Sequence, residues 1–232
     1  MDFSYLDKNV SEVRERIRAS AIASGRDPDD VMLLAAIKSA DTDEINYIHN
    51  TLGITEVGEN RVQQLLERYD ALDRGGLNIH FIGTLQTNKV KYIIDKVSLI
   101  HSVDSVKLAK EINKQAARRG IVMDVLLEIN SAMEESKSGV LPSDAEALCL
   151  ELAGLSSIRL RGFMTMAPKG STKEEYIKYF TETRELGKKI WSETLHLDGE
   201  PIYSMGMSDS FEIAVECGST CVRVGGGLFR KN

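Results

Sequence analysis

Short apolar runs alternate with longer amphipathic stretches along the chain. The first stretch, from about Asp7 to Ser24, spaces Val10, Val13, Ile17 and Ala21 three or four residues apart. That is the period of one helical face, and Gly25 is a natural stop. Next comes Val31-Met32-Leu33-Leu34-Ala35-Ala36-Ile37, an apolar run closed by Lys38 that reads as a buried strand. Further strands are predicted at Ile54–Val57, Ile79–Gly83, Leu99–Val103, Met123–Asn130, Leu160–Met166, Pro201–Met205 and Thr220–Val224, eight in all.

Between them lie helical candidates at Asp43–Leu52, Glu59–Leu72, Asn88–Lys96, Ser105–Arg119, Ser143–Leu152, Lys173–Thr194 and Ser208–Cys217. Repeated strand–helix alternation predicts a parallel sheet. Eight units predict closure into a (β/α)8 barrel with an additional N-terminal helix. An open doubly wound sheet is the alternative, and it accommodates fewer strands. No solenoid repeat, low-complexity tract or linker-like segment interrupts the pattern, so residues 1–232 are expected to form one domain.

Composition narrows the function classes. Hydrophobic residues make up 42% of the 232 positions, enough to fill a sizeable core and to rule out wholesale disorder. A net charge of −6 with well-mixed signs argues against a dedicated nucleic-acid or anionic-membrane binder, though it leaves room for one local basic pocket. The longest uncharged stretch, Gly75 to Asn88, is 14 residues and polar in places, too short for a spanning helix. Met1-Asp2-Phe3-Ser4 has neither a basic nor an apolar signal region, so a cytoplasmic protein is expected. Cys149, Cys217 and Cys221 are odd in number and form no CxxC, which argues against a zinc site or a disulfide framework.

In a barrel, reactive side chains project from the C-terminal ends of the strands. Lys38 closes the first strand there. Such a lysine either snorkels to solvent or, when partly buried, becomes a nucleophilic amine for a carbonyl. At the other end of the chain, Ser204-Met205-Gly206-Met207-Ser208-Asp209 leads from a strand into a helix, with Ser208 or Asp209 as the expected N-cap. Arg223-Val224-Gly225-Gly226-Gly227 closes the last strand, and its glycine N–H groups can form an anion nest. Barrels frequently bind phosphate between these last two loops; a plain turn is the alternative.

Other groups read as structural. His80 and His101 have no His or Cys partner at ligand spacing, so no metal is expected. Met164, Met166, Met205 and Met207 read as core, with pocket lining as the alternative. Lys107, Lys110, Lys114 and Arg118 read as a solvated helix face.

Several ordered motifs, from Leu34 almost to the end, give the chain a specific resemblance. They are Val57-Gly58-Glu59-Asn60 with Val62-Gln63, His80-Phe81-Ile82-Gly83 with Leu85-Gln86 and Asn88-Lys89, and Ile129-Asn130 with Glu135, Lys137 and Gly139. Then follow Arg161-Gly162, Met164, Met166-Ala167-Pro168, Gly206-Met207-Ser208-Asp209, Gly218-Ser219-Thr220 and Val222-Arg223. With these the chain resembles the pyridoxal phosphate homeostasis proteins, single-domain relatives of the barrel half of alanine racemase.

The resemblance implies that Lys38 holds pyridoxal 5′-phosphate as a Schiff base. It implies that Ser208 and the Gly225-Gly226 backbone take the phosphate, helped by Ser204 or the Gly206–Met207 backbone. Asn60 would lie near the cofactor ring and Arg223 would face the pyridine nitrogen. Arginine only donates hydrogen bonds, so it favours an unprotonated pyridine and weakens the ring as an electron sink.

The chain departs from the family pattern in three places. Ile37 stands before Lys38 where Ser is common, Ser39-Ala40-Asp41 replaces Thr-x-Pro, and Gly225–Arg230 lacks the usual Thr and final Gly. A missing hydroxyl removes one phosphate hydrogen bond, a net loss of about 0.5–1.5 kcal/mol, or more to a charged group.

The leading expectation is a monomeric carrier that sequesters the cofactor, supplies it to apo forms of dependent enzymes and so bears on amino-acid balance. An amino-acid racemase is the alternative, which chiral chromatography of substrate would distinguish. Two-domain relatives take a second base from an added domain, whereas only Gly225 to Asn232 follow the last predicted strand here. A Schiff-base aldolase using Lys38 is a third reading and predicts no bound chromophore.

Overall fold

The computed structural model describes residues 2–134 and 137–231. Glu135, quoted in the resemblance above, lies outside the described residues. The chain opens with helix α1 (Ser4–Ala23), then alternates β1 (Met32–Ala36), α2 (Thr42–Asn50), β2 (Glu56–Glu59), α3 (Val62–Arg68), β3 (Asn78–Phe81), α4 (Val90–Ile93) and β4 (Leu99–Val103). It continues through α5 (Val106–Arg119), β5 (Met123–Ile129), α6 (Ala145–Ala153), β6 (Ile158–Thr165), α7 (Lys173–Lys189), β7 (Ile202–Ser204), α8 (Phe211–Glu216), β8 (Cys221–Val224) and α9 (Gly226–Phe229). The eight strands are parallel and close into a barrel, β8 returning to pair with β1 in the register Leu34 to Arg223.

Local chemistry sets the helix ends. Asp41 and Glu44 form a reciprocal capping box at the start of α2, each side chain accepting the other's backbone N–H at 2.8 Å. Thr172 and Glu175 repeat it on α7. Gly120 ends α5 in the left-handed conformation that costs glycine least. The expected solvated lysine face of α5 is exposed, with Lys110 and Lys114 within 3.8 Å of acidic partners.

The boundaries differ from the periodicity in several places. α1 starts at Ser4, three residues before the predicted Asp7, because the first turn buries Leu6. β2 lies at Glu56–Glu59 and not at Ile54–Val57; its pairing with β3, Glu56 against Asn78, outweighs local apolarity. Asn88–Lys96 yields only a short 3-10 turn and the single turn α4. α8 begins after Ser210, so neither Ser208 nor Asp209 is its N-cap. The Met207 carbonyl accepts the Ser210 and Phe211 N–H groups at 2.8 Å and makes an extra turn before the helix.

The pleat of each strand divides its side chains between two environments. Outward residues such as Ala35, Val57, Phe81, Ile100, Val125, Leu127, Phe163 and Tyr203 are buried under the helices in one continuous apolar layer. Inward residues form two small clusters. Leu34, Ala36, Ile82 and Cys221 make one, and Leu99, Leu126 and Met164 the other. Gly162 lets β6 pass close to the Ile202 backbone, where any Cβ would overlap it, with φ of +148°.

Candidate functional site

A cavity of about 920 Å³ opens at the C-terminal ends of the strands, where β1, β2 and β8 meet the loops after β7 and β8. Seven of the nine residues expected to hold the cofactor line it: Lys38, Asn60, Met207, Ser208, Arg223, Gly225 and Gly226. Met166 lines it too, while Met164 and Met205 are fully buried in the core.

The Lys38 side chain is exposed toward the cavity, so the partial burial considered for it is not found. Its strand end is held by Arg68, which donates to the Ile37 carbonyl at 2.9 Å. The same guanidinium lies 3.3 Å from the fully buried Glu59 carboxylate. Glu59 in turn accepts the Asn60 and Arg61 N–H groups at 2.7 and 3.1 Å. One buried ion pair therefore orients both the Lys38 strand end and the Asn60 loop. Buried and without a hydrogen-bond partner among the described residues, Asn60 Oδ1 is an acceptor on the cavity wall that needs a donor.

On the opposite wall the Gly227 N–H donates to Ser208 Oγ at 3.3 Å, tying the two loops together. A methyl group at Gly225 would meet the Ala36 carbonyl at 2.9 Å, so close packing against β1 requires glycine there. Beyond the expected residues, Arg16, Lys169 and Arg230 add positive charge to the rim. Asp209 opposes them, and Arg16 is paired bidentately with Glu212 at 3.0 and 2.6 Å. The cavity is therefore a local basic site on an acidic protein. No periodic pattern marks Arg16, Lys169 or Arg230, which come from distant segments.

Arg223 is almost completely buried, and burial pulls its pKa down from the ordinary guanidinium value. It donates to the Ser204 carbonyl and hydroxyl, both at 2.6 Å, and to the Thr165 carbonyl at 3.0 Å. Ser204 is thus not on the cavity wall: its hydroxyl lies beneath Arg223, fully buried and committed to it. Gly206 is not on the wall either. It packs on α8, where a Cβ would strike Ala214, and its carbonyl accepts the Arg223 N–H at 3.1 Å. Ser204 faces inward because it alternates along β7 with the outward Tyr203.

His80 and His101, unpartnered by sequence spacing, meet inside the barrel with Nδ1 and Nε2 2.9 Å apart. His101 Nδ1 reaches Ser204 Oγ at 2.9 Å. Among the described residues no group of three or more His, Cys, Asp or Glu side chains is placed to hold a metal ion. Nor is any helix among them long and apolar enough to cross a membrane. Near the floor, burial and the Asp104 charge push the Glu128 carboxyl up to about 7 against the opposing influence of Arg223.

Chemically, the cavity offers a primary amine, a loop pair able to hold an anion on backbone N–H groups and a hydroxyl, and a fixed donor between them. Comparison with known proteins gives the chain its relatives. The alanine racemase N-terminal domain family matches residues 6–232. A pyridoxal phosphate homeostasis protein of Aquifex aeolicus is 42% identical over 222 residues, covering 96% of each chain.

Among solved structures, an unknown protein from Bifidobacterium adolescentis superposes with a TM-score of 0.90 at 33% identity, covering 99% of this chain and 97% of that one. PipY of Synechococcus elongatus, solved with PLP bound, gives a TM-score of 0.80 at 30% identity, covering 94% of this chain and 100% of that one. Matched almost end to end by sequence and by fold, the chain belongs to the pyridoxal phosphate homeostasis protein family, within the wider alanine racemase N-terminal domain family.

Proposed function

We propose that this cavity binds pyridoxal 5′-phosphate and that the protein holds the cofactor on Lys38 in a reversible store, releasing it to apo forms of dependent enzymes. The observation that carries the reading is the convergence of Lys38, the Ser208–Gly226 loop pair and Arg223 on one cavity. When bound, the cofactor supplies an aldehyde that condenses with a primary amine. Lys38 is the amine at the strand ends of the cavity, exposed and therefore able to exchange its partner.

The residues present fit the group. Asn60 Oδ1 is an orphaned acceptor beside the cavity. At Gly226 an added Cβ would meet only Ser208 Oγ, at 3.9 Å, so glycine keeps open the space between the loops where a phosphate would lie. Arg223 has N–H groups beyond those given to Ser204 and Thr165, and it can only donate. Opposite a ring nitrogen it keeps the pyridine unprotonated, a poor electron sink, which favours holding over turnover.

In this reading residues 1–232 act as one cofactor-binding unit, a cytoplasmic monomer, whose effect on amino-acid balance follows from cofactor supply.

The test is the visible absorption spectrum of the purified protein, followed by borohydride reduction and peptide mapping by mass. A yellow protein with the phosphopyridoxyl group on Lys38 is expected, and Lys38→Ala is expected to lose the reducible chromophore entirely. A colourless protein that cannot be reconstituted with the cofactor would overturn the proposal.

A further inference from the structure

A continuous line of polar side chains crosses the barrel interior between its two apolar clusters. Arg223 Nη1 meets Ser204 Oγ at 2.6 Å, and Ser204 Oγ meets His101 Nδ1 at 2.9 Å. His101 Nε2 meets His80 Nδ1 at 2.9 Å, and His80 Nε2 meets Glu56 Oε2 at 2.9 Å. Ser204, His101, His80 and Arg223 are all buried, whereas Glu56 is half-buried at the opposite mouth, beside a second cavity of about 630 Å³. Five polar groups in a row inside a barrel are costly unless each is satisfied, and only some proton arrangements satisfy all of them.

With both imidazoles neutral, the donor inventory allows one arrangement. Glu56 is held below its ordinary pKa: burial raises it, but hydrogen bonds from His80 and Asn78 more than offset that. As a carboxylate it can only accept, so His80 must carry its proton on Nε2. His101 is held well below the ordinary imidazole range, chiefly by burial and further by the buried Arg223 charge beside it. It is therefore neutral and has one proton to place. At the other end Arg223 can only donate, and Ser204 Oγ accepts from it. The serine proton then satisfies His101 Nδ1, which leaves the His101 proton on Nε2 to serve His80 Nδ1.

We infer that Glu56, His80, His101 and Ser204 form a one-way donor chain that positions Arg223 as a fixed hydrogen-bond donor at the cavity floor. Every donor runs from Arg223 toward Glu56, so the guanidinium has a single satisfied orientation, with its remaining N–H groups turned to the cavity. The chain does not conduct protons to the site, because arginine at its end keeps its own. Glu56, His80 and His101 are positioning residues. Their consequence for a bound cofactor rests on the functional reading above; the proton arrangement itself does not.

The first arm of the test is nitrogen NMR of the imidazoles in the cofactor-free protein at neutral pH. Neutral rings with the proton on Nε2 are expected for both His80 and His101. A Nδ1–H tautomer or a charged ring at either position would overturn the inference.

The second arm compares Glu56→Leu with Glu56→Gln in protein loaded with pyridoxal 5′-phosphate. In Glu56→Gln the side-chain amide still presents a carbonyl to His80 Nε2, and Asn78 can turn its own amide to match. This variant is expected to keep both tautomers, the visible band and its pH midpoint. Glu56→Leu removes the terminal acceptor at the mouth remote from the cofactor. It is expected to shift the pH midpoint of the visible band and to weaken cofactor binding about tenfold, the effect of 1.4 kcal/mol. A folded Glu56→Leu protein with unchanged tautomers and spectrum sinks the inference. Should that variant fail to fold, the wild-type tautomers decide. If the wild-type chain takes up no cofactor, the functional reading fails alone and the NMR arm still decides the donor chain.

Discussion

The two sides of the barrel wall are built on opposite principles. Outside, the strand residues facing the helices form one unbroken apolar layer, with Phe163 and Tyr203 stacked at a centroid distance of 6.1 Å within it. Inside, apolar contacts shrink to two separate clusters, and the space between them is given to Glu56, His80, His101, Ser204 and Arg223. Hydrophobic burial scales with area, so the outer layer carries the stability, at about 1.5–3 kcal/mol for each fully buried large side chain. Hydrogen bonds are directional, so the inner line carries orientation. The fold thus keeps stability and site geometry on opposite faces of the same strands.

That separation can be broken most severely from the outside. Phe163→Ala removes a fully buried ring from the outer layer and is expected to cost about 3–5 kcal/mol, read as a lower denaturant midpoint. The folded fraction should keep its cofactor affinity within about twofold, because the cavity lies across the wall. A parallel loss of affinity would mean that the two faces are not independent.

An intermediate effect is expected at Glu128 on the inner face. Below pH 4.5 its carboxyl is protonated whether the chain is folded or not. Between 4.5 and about 7 the folded chain keeps a proton that the unfolded chain releases, so raising the pH costs stability. Above about 7 that loss is complete. Glu128→Gln removes this slope and is expected to gain on the order of 1–3 kcal/mol over the native chain between about pH 4 and pH 8. Thermal unfolding across that range measures it, and parallel pH profiles for the two proteins would refute it.

The smallest effect on stability is expected at Gly226→Ala. The added methyl meets nothing closer than Ser208 Oγ at 3.9 Å, so stability should stay within about 0.5 kcal/mol. The methyl projects between the loops, however, and cofactor affinity is expected to fall about tenfold, a cost of 1.4 kcal/mol. A fluorescence titration with pyridoxal 5′-phosphate reads the difference. Unchanged affinity would remove Gly226 from the site.

Much of the outer face was legible in the sequence. All eight strands and the barrel class follow from alternating apolar runs and helical stripes, since those patterns are the outer layer seen one residue at a time. For the same reason the apolar pattern places β2 two residues too early. Its inward positions are Glu56 and Gly58, so it lacks the apolar signature, and the apolar Ile54 beside it is only a loop residue packed on the core.

The cavity was legible in part. Lys38, Ser208 and Arg223 stand out through strand ends and glycine loops, and Asn60 through the resemblance. The resemblance puts Ser204 at the phosphate, but it lies beneath Arg223. Ligand spacing in the sequence gives His80 and His101 no partner. Their contact spans 21 residues, and the one between His101 and Ser204 spans 103.

By itself, then, the sequence determined the elements, their order and the residues that end each strand. Helical and strand periodicity depend on neighbours three, four or two positions apart, and those are always visible. Only the tertiary structure decided which inward side chains meet across the barrel. Closure brings strands from distant parts of the chain to one axis, and the register of each strand against the next fixes which groups share that narrow interior. The joining of Glu56 to Arg223 through two histidines and a serine is a property of that closure, and no local pattern encodes it.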